Sequence, residues 1–265
     1  MFLKTSRFIP FGYFSPYENM AIDEYLISYY ERTLQPVFRL YAWSPAGISA
    51  GKNQEVLKDI DLEKCRRDAV PVVRRITGGG AIYHNNEVTY SIVCSGKDLS
   101  KNDLTVKESF EKLNEFMIKM YLKCGLAAAY AKDLNPAGTK IGGISAFCFA
   151  SNEEYDMVIK GKKIGGNAQS RKKELIFQHG SIPLSSAPRA MDYFNKKEDS
   201  GNYSDLSTLT GRDMGEVEVC ANMVSSYTET FSCDLEIKPL DAAEKREVVA
   251  LLTSRYAVNN WNLKQ

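Results

Sequence analysis

The order of the periodic segments is what most constrains the fold of this chain. Between residues 37 and 94, short apolar runs recur between Pro and Gly residues, as is typical of β-strands, and longer stretches with helical periodicity follow. The two kinds of segment do not alternate in the regular βαβ rhythm of a doubly wound sheet. We therefore expect an α/β structure of the α+β type, with a mixed β-sheet flanked by helices, in a single domain over residues 1–265.

Three capping boxes mark where helices begin. Ser15 to Glu18, with Pro16 in the first helical position, predicts a helix through about Glu31. Thr105-x-x-Glu108 predicts a helix that Gly125 ends, and Asp241-x-x-Glu244 predicts one that reaches about Tyr256. Further helices are expected at Asp61–Asp68 and Met214–Tyr227, and strands at Val37–Trp43, Gly47–Gly51, Pro71–Arg75, Ala81–His84, Val88–Cys94 and Glu174–Leu184.

The composition excludes several classes of protein. A formal net charge of +1 gives no bulk attraction for nucleic acid or an anionic membrane. The sequence has neither an apolar run long enough to span a bilayer nor a signal peptide, so we expect a cytoplasmic protein. Six cysteines without a Cys-x-x-Cys pair, and only two histidines, predict neither a metal site nor a disulfide framework.

A triple glycine, Gly78-Gly79-Gly80, interrupts the strand pattern. Consecutive glycines allow the backbone to approach a ligand and to turn its N–H groups toward an anion. Arg75 stands just before them and is able to bind a phosphate or carboxylate through two parallel hydrogen bonds. The segment is not a Walker loop, because no Gly-Lys-Ser/Thr follows. A flexible hairpin turn between two strands is the alternative interpretation.

Residues 148–180 hold the residues best suited to chemistry. Tyr155–Lys160 reads as a strand, Gly161-Lys162 as a tight turn, and Lys163 to Gly166 as the start of a returning strand. Cys148 precedes this hairpin, fifteen residues before Lys163. A nearby ammonium group favours a thiolate, whereas apolar burial disfavours it. The alternatives are an inert buried cysteine and a surface lysine, with His179 either as the partner of Cys148 or as a structural residue.

Three motifs in this chain resemble a known family. RRITGGGAIYH, GKKIGGNAQSR and IFQHGSIPL together are similar to the lipoate–protein ligases and octanoyltransferases. The resemblance runs from the helix that begins at Pro16 to the closing Trp261-Asn262. It implies the fold of the biotin and lipoate–protein ligase catalytic domains, which is class II synthetase-like. This is a mixed sheet flanked by helices.

The branch of octanoyltransferases with a Cys-Phe segment fifteen residues before the lysine looks most similar. The resemblance implies that Cys148 carries the acyl group as a thioester and that Lys163 assists it, without a cofactor. It implies octanoyl–acyl carrier protein as the donor, and a lysine of a lipoyl domain, in glycine-cleavage H protein or a dehydrogenase E2, as the acceptor. We expect a monomer without a C-terminal accessory domain, and a narrow apolar tunnel for the acyl chain. The residues expected to bind substrate are Arg75, Gly78, Gly79, Gly80, Ala81, Ile82, Tyr83, His84, Gly165 and His179.

One departure keeps other functions open. The segment from Thr77 to His84 looks more like the loop of the ligases, which use ATP and Mg²⁺ to make an acyl-adenylate. A bipartite ligase with its accessory domain on a separate chain is therefore an alternative. Two others are a relative that moves octanoate between carrier proteins by amide-to-thioester exchange, and a non-catalytic module that binds lipoyl or acyl-carrier domains.

Overall fold

The computed structural model describes residues 5–134, 154–185, 187, 190–195 and 203–264. The strands in these ranges are β1 (Thr5–Ile9), β2 (Tyr13–Phe14), β3 (Val37–Trp43), β4 (Gly47–Ala50), β5 (Val72–Arg74), β6 (Ile82–His84), β7 (Glu87–Ser95), β8 (Ala129–Tyr130), β9 (Met157–Ile159), β10 (Lys162–Ile164), β11 (Gly166–Lys172), β12 (Leu175–Pro183), β13 (Tyr203–Ser204) and β14 (Asp234–Ile237). The α-helices are α1 (Pro16–Thr33), α2 (Val56–Asp59), α3 (Leu62–Arg67), α4 (Gly96–Leu99), α5 (Val106–Lys123), α6 (Ala131–Leu134), α7 (Leu206–Thr210), α8 (Glu216–Phe231), α9 (Ala242–Leu251) and α10 (Asn259–Asn262). A 3₁₀ turn at Ala190–Tyr193 and a π-helical turn at Leu252–Tyr256 complete the set.

Three sheets organise the described residues. The large sheet has the order β11-β12-β7-β3-β1-β14, with β2 beside β3. It is mixed, because β3 pairs in parallel with β1 and antiparallel with β7. The two smaller sheets have the orders β13-β10-β9-β8 and β5-β4-β6. The expected mixed sheet flanked by helices is confirmed.

Helices cover both faces of the large sheet. Phe38 and Leu40 of β3 belong to the core cluster formed with α5 and α8. Val37 and Tyr41, which point to the opposite face of the same strand, pack with α1 and α9. A smaller apolar cluster lies at the β5-β4-β6 sheet. The result is a helix–sheet–helix arrangement whose central strand, β3, is buried along its whole length.

The capping boxes work as predicted. Ser15, Thr105 and Asp241 each accept a hydrogen bond from the backbone three residues on, and the glutamate there bonds back to the cap. The helix predicted from Ser15 begins at Pro16 and ends two residues later than expected. Gly125, with φ of +80°, follows the last turn of α5. These boundaries depend on local chemistry, so sequence alone could find them.

The hairpin turn was predicted one residue too late. Lys160 and Gly161, not Gly161 and Lys162, form the two-residue turn between β9 and β10. Their φ values are +50° and +77°, the pattern of turns that match the twist of the flanking strands. As a result Lys163 stands opposite Val158. The long strand predicted at Glu174–Leu184 is confirmed as β12, and its partner β11 follows the hairpin directly.

Gly165 passes the chain from one sheet to another. It separates β10 in the four-stranded sheet from β11 in the large sheet, and its φ is +75°. A Cβ at this position would lie 2.3 Å from the carbonyl oxygen of Ser181. Glycine is therefore required here both by the backbone conformation and by the close approach of β12.

Two further observations concern the described ranges as a whole. No helix in them is long and apolar enough to cross a bilayer. Over the same ranges, no group of three or more His, Cys, Asp or Glu side chains is placed to hold a metal ion. The cysteines found there are free thiols, and all except the half-buried Cys220 are buried. Cys148 lies outside the described residues.

A buried ion pair ties the two ends of the described chain together. The guanidinium of Arg7 on β1 makes two parallel hydrogen bonds to Glu244 on α9, at 2.6 and 2.7 Å. Burial alone would raise the pKa of Glu244. The bonds from Arg7 and from the backbone N–H of Asp241 outweigh burial and lower that pKa from 4.5 to about 2. Because the pKa of Glu244 is lower in the folded state, its ionised form stabilises the fold at pH values above its ordinary pKa. This stabilisation is lost as the pH falls toward 2.

We expect Glu244→Gln to lower the free energy of unfolding by about 3 kcal/mol near neutral pH, because it strands the Arg7 guanidinium. The difference between the variant and the parent protein should shrink as the pH falls below about 4, where Glu244 of the unfolded parent is protonated. Urea unfolding at a series of pH values measures this. Glu247→Gln is the matched control, since Glu247 pairs with Arg32 on the exposed surface. A stability difference that is independent of pH would contradict the assignment.

Candidate active site

A cavity of about 650 Å³ lies where the three sheets meet. Its described walls come from β4, the glycine loop, β6, the β9–β10 hairpin, β11 and β12. Trp43, Ile82, Val106 and Phe110 supply apolar surface, whereas most of the other lining residues are polar or glycine. The narrow apolar tunnel expected for an acyl chain stays a prediction, because the described walls are mixed in character.

Arg75 holds the glycine loop in shape from beneath. Its Nη2 donates to the carbonyl oxygens of Gly78 and Gly80, at 2.6 and 2.8 Å. Its Nη1 donates to the carbonyl of Ser49 on β4, and its Nε to the hydroxyl of Thr77. The side chain is 2% exposed. The guanidinium therefore binds the protein's own oxygens, and the predicted two-bond grip on an anion is not what this arrangement provides.

Arg74, the last residue of β5, is bonded to the backbone of two other segments of the chain. Its Nη1 donates to the carbonyls of Gly51, Lys52 and Gln54, and its Nε and Nη2 to those of Trp261 and Lys264. Asn262 in turn accepts from the backbone N–H of Arg74, and Trp261 donates to its carbonyl oxygen. The closing Trp261-Asn262 motif is thus bonded to the strand that leads into the glycine loop.

The loop also meets the end of β4 with almost no spare space. A Cβ placed on Gly51 would lie 1.9 Å from the carbonyl oxygen of Gly79, whose own φ is +92°. A Cβ on Gly78 would meet no atom within 4 Å. Gly51 is therefore a packing requirement for the loop, and Gly78 faces open space at the cavity.

His84 sits in a chain of hydrogen bonds along the cavity wall. Its Nε2 is 2.7 Å from the hydroxyl of Ser49, and its Nδ1 is 2.7 Å from Oε1 of Glu87. The ring stacks on Trp43 with ring centroids 3.7 Å apart. Thr89 and Ser181 donate to the same Glu87 carboxylate. Both nitrogens of His84 therefore have protein partners, and the ring is fixed in orientation.

His179 is held by a second cluster of polar side chains. Its Nε2 is 2.7 Å from the hydroxyl of Thr77, and its Nδ1 lies 3.6 Å from Oδ2 of Asp23. Burial lowers the pKa of His179, and Arg75 and His84 add to that effect against the opposing pull of Asp23. His179 is consequently neutral at physiological pH. Its interpretation as a wall of the pocket agrees with its place among the lining residues.

Asp23 is the buried anchor of this second cluster. Its carboxylate pairs with Arg39 at 2.7 Å and accepts hydrogen bonds from Tyr41 and Ser91. Burial alone would raise the pKa of Asp23, but the charge of Arg39 and the bond to His179 outweigh it and lower that pKa. The Asp23 carboxylate therefore stays ionised. It holds in place the polar side chains on the face of the large sheet from which His179 projects.

Lys163 reaches the cavity from the β9–β10 hairpin. Its ammonium group lies 2.6 Å from the Asp156 carboxylate, and both side chains line the cavity. The lysine is 1% exposed, and its strand is held by β9 on one side and β13 on the other. The predicted surface alternative for Lys163 is wrong. A buried, paired ammonium group at a cavity is an arrangement suited to binding or stabilising negative charge.

The structure brings most of the predicted substrate-binding residues to the cavity, but three of them do not line it. The seven at its wall are Arg75, Gly78, Gly79, Gly80, Ile82, His84 and His179, and Lys163, which was predicted as catalytic, lines it too. Ala81 is packed in the small apolar cluster, and Tyr83 stacks on Tyr193. Successive strand residues point to opposite sides, so Ile82 and His84 face the cavity while Ala81 and Tyr83 face away. Gly165 serves the crossover between sheets, and its neighbour Gly166 lines the cavity instead.

Sequence reasoning missed several residues of the wall. Asn167 and Gln169 of β11 line the cavity, together with Ser49 and Asp156. Asn167 accepts a hydrogen bond from the buried Tyr90 hydroxyl at 2.8 Å. The available signal was the motif GKKIGGNAQSR, whose second half follows Lys163 directly. The partner of Lys163 was also near in sequence, since Asp156 comes directly before β9, the strand that pairs with β10.

Comparison with known proteins agrees with these observations. The family model of the lipoyl protein ligase A/B catalytic domain matches residues 15–224. The chain belongs to this family. It is 32% identical to the octanoyltransferase LipM of Oceanobacillus iheyensis, over 91% of both chains. It is also 32% identical to the octanoyltransferase LipM of Geobacillus kaustophilus, over 98% of both chains.

Solved structures of the family share the fold. A lipoate-protein ligase A with bound ATP superposes with a TM-score of 0.83, at 20% identity over 98% of each chain. A putative lipoate protein ligase from T. acidophilum with bound lipoic acid gives a TM-score of 0.81, at 20% identity over 98% of this chain and 99% of that one. At this identity the likeness establishes the fold, and the predicted ligase-like architecture is confirmed.

The contact between Gly51 and the glycine loop generates a prediction. We expect Gly51→Ala to lower the free energy of unfolding by about 1–3 kcal/mol, because the new methyl group forces Gly79 away. It should also speed amide exchange over residues 75–80, measured by hydrogen–deuterium exchange. Gly78→Ala is the matched control, with changes in stability below about 0.5 kcal/mol. Equal effects of the two substitutions would show that the close contact does not hold the loop.

Proposed function

We propose that this protein is an octanoyltransferase of lipoate biosynthesis. In the proposed reaction it moves octanoate from octanoyl–acyl carrier protein to a lysine of a lipoyl domain. The observation that carries the proposal is the likeness to curated octanoyltransferases, at 30–33% identity over 91–99% of this chain. The buried Lys163 at the cavity adds a chemical reason, since a positive charge near the reacting carbonyl stabilises the oxyanion that forms in acyl transfer.

In the first half-reaction, Cys148 is the nucleophile. Its thiolate attacks the carbonyl carbon of the donor thioester, a new C–S bond forms, and the donor's C–S bond breaks to release the carrier thiolate, which takes up the proton that Cys148 lost on ionising. Octanoyl-Cys148 is the intermediate. The Lys163 ammonium favours the thiolate and stabilises negative charge on the carbonyl oxygen.

In the second half-reaction, the acceptor amine replaces Cys148. The neutral amine of the target lysine attacks the thioester carbonyl, the C–N bond forms, and the Cys148 thiolate leaves. The proton released by the amine neutralises that thiolate. A structurally similar protein is described as a bipartite lipoate protein ligase from Thermoplasma acidophilum with its E2 lipoyl domain, which supports a lipoyl domain as the class of acceptor. Glycine-cleavage H protein and a dehydrogenase E2 are the specific acceptors proposed.

The acyl chain is proposed to bind in the cavity. Trp43, Ile82, Val106 and Phe110 offer apolar contact, and each methylene buried against them contributes about 0.8 kcal/mol. His84 and His179 already have hydrogen-bonding partners in the protein, so they present fixed walls to the chain. The proposed reaction uses no cofactor, and one domain over residues 1–265 performs it as a monomer.

ATP-dependent ligation is the second candidate. The loop from Thr77 to His84 resembles the ligase version, and this observation favours it. The likeness to ligase structures at 20% identity concerns the fold alone. Under this candidate Lys163 and the glycine loop would hold an acyl-adenylate, and Cys148 would not be needed.

The two candidates are separated by their donors. Octanoyl–acyl carrier protein and an apo lipoyl domain are mixed with the enzyme without ATP, and intact masses are measured. We expect an adduct of about 126 Da on the enzyme and then on the lipoyl domain. Cys148→Ala should abolish both. Transfer that persists in Cys148→Ala, or product that forms only from free acid with ATP, would reject the thioester mechanism. Binding of the lipoyl domain without any product would favour the non-catalytic module.

A matched pair of lysine substitutions tests the role of the hairpin. We expect Lys163→Ala to slow octanoyl transfer by about 100-fold, because it removes the charge that stabilises the thiolate and the oxyanion. Lys162→Ala, on the neighbouring exposed residue, should stay within about twofold of the parent rate. Single-turnover transfer from octanoyl–acyl carrier protein is the measurement. Similar losses in both variants would indicate general damage to the hairpin.

A further inference from the structure

The Asp156–Lys163 pair is built into one hairpin. Asp156 comes directly before β9, and its carbonyl oxygen accepts from the backbone N–H of Ala131. Lys163 lies in β10, across the two-residue turn formed by Lys160 and Gly161. Because β10 is hydrogen-bonded to a strand on each side, the backbone of Lys163 is held in a fixed position. The two charged groups are therefore brought together by the turn.

Burial makes each of the two charged groups depend on the other. The side chains of Lys163 and Asp156 are 2% and 9% exposed, and the distance between their charged atoms is 2.6 Å. An ammonium group removed from water loses most of its hydration, so burial alone favours the neutral amine. A carboxylate at hydrogen-bonding distance restores the preference for the charged form. Removing one partner of such a pair takes away the compensation that this partner supplied to the other buried charge.

We propose that Asp156 is a positioning residue, which keeps Lys163 protonated and aimed into the cavity. This inference deepens the proposed function and rests on it for the role of Lys163 in acyl transfer. Lys163 needs a positive charge to favour the Cys148 thiolate, and a fixed direction to reach the acyl carbonyl. Asp156 supplies both conditions from a position seven residues earlier in the chain. It does so without contacting the reacting atoms itself.

The first test reads the charge of Lys163 directly, without any measurement of activity. Cyanate is a small reagent that carbamylates neutral amines, and Lys163 lines a cavity that such a reagent can enter. In Asp156→Asn, at a fixed pH of about 8, we expect carbamylation of Lys163 to rise about tenfold relative to Lys162 in the same chain. Peptide mass spectrometry after digestion measures both lysines. Glu154→Gln is the matched control, because Glu154 pairs with Lys107 on the exposed surface.

The second test separates charge from position. Asp156→Glu keeps the carboxylate but displaces it by one methylene. We expect its Lys163 carbamylation to stay within about twofold of the parent protein, while octanoyl transfer falls. In Asp156→Asn both carbamylation and transfer should change, with transfer slowed about tenfold or more. Unchanged carbamylation of Lys163 in a folded Asp156→Asn protein, or unchanged transfer, would overturn the proposal.

A folding control covers the case in which Asp156→Asn does not fold. The double variant Asp156→Asn with Lys163→Met removes both charges. If loss of the Asp156 carboxylate beside the buried ammonium group causes the defect, the double variant regains the cooperative unfolding transition of the parent protein, as read by circular dichroism. If it also fails to fold, Asp156 has a structural role that is independent of Lys163, and the proposal falls. Absence of octanoyl transfer by the parent protein would reject the proposed function alone, since the cyanate comparison still decides whether Asp156 controls the charge of Lys163.

Discussion

Two consecutive arginines give the cavity its shape. Arg74 and Arg75 are buried side by side, yet their guanidinium groups bond to different backbone segments. Arg75 joins the glycine loop to β4, and Arg74 joins the end of β4 to the closing residues of the chain. A loop of three glycines has little intrinsic preference for one conformation. Its carbonyl oxygens are fixed because an arginine requires several acceptors once it is buried.

The polar residues around the cavity, like the two arginines, have a structural role. His84 and His179 each have partners at 2.7 Å, and the acidic groups behind them, Glu87 and Asp23, accept further hydrogen bonds from neighbouring side chains. Buried polar groups that are fully bonded make a wall rigid without adding reactivity. Lys163 differs because its partner, Asp156, lines the same cavity. The hairpin therefore brings a buried ion pair, and not a single charge, to the wall of the cavity.

Local signals in the sequence predicted the helix boundaries and most of the strands, whereas pairings between distant residues could not be found from it. The capping boxes at Ser15, Thr105 and Asp241 are complete within four residues, so reading them needs no knowledge of the fold. The acceptors of Arg75 are distributed over two segments, so the sequence did not show that its guanidinium bonds to the protein's own carbonyl oxygens. The hairpin turn shows the intermediate case. A shift of one residue changes the cross-strand neighbour of Lys163 from Lys160 to Val158.

The crossover at Gly165 has a consequence for how the cavity is assembled. Lys163 belongs to the four-stranded sheet, and Asn167, only four residues later, belongs to the seven-stranded sheet. The single residue that divides them is pressed against the carbonyl of Ser181. The β9–β10 hairpin and the large sheet are thus joined by a single, tightly packed residue. The position of Lys163 at the cavity therefore depends on both sheets. Any insertion between the two sheets would change the depth of the cavity and the position of the Asp156–Lys163 pair, the one buried lysine–aspartate pair among the described residues.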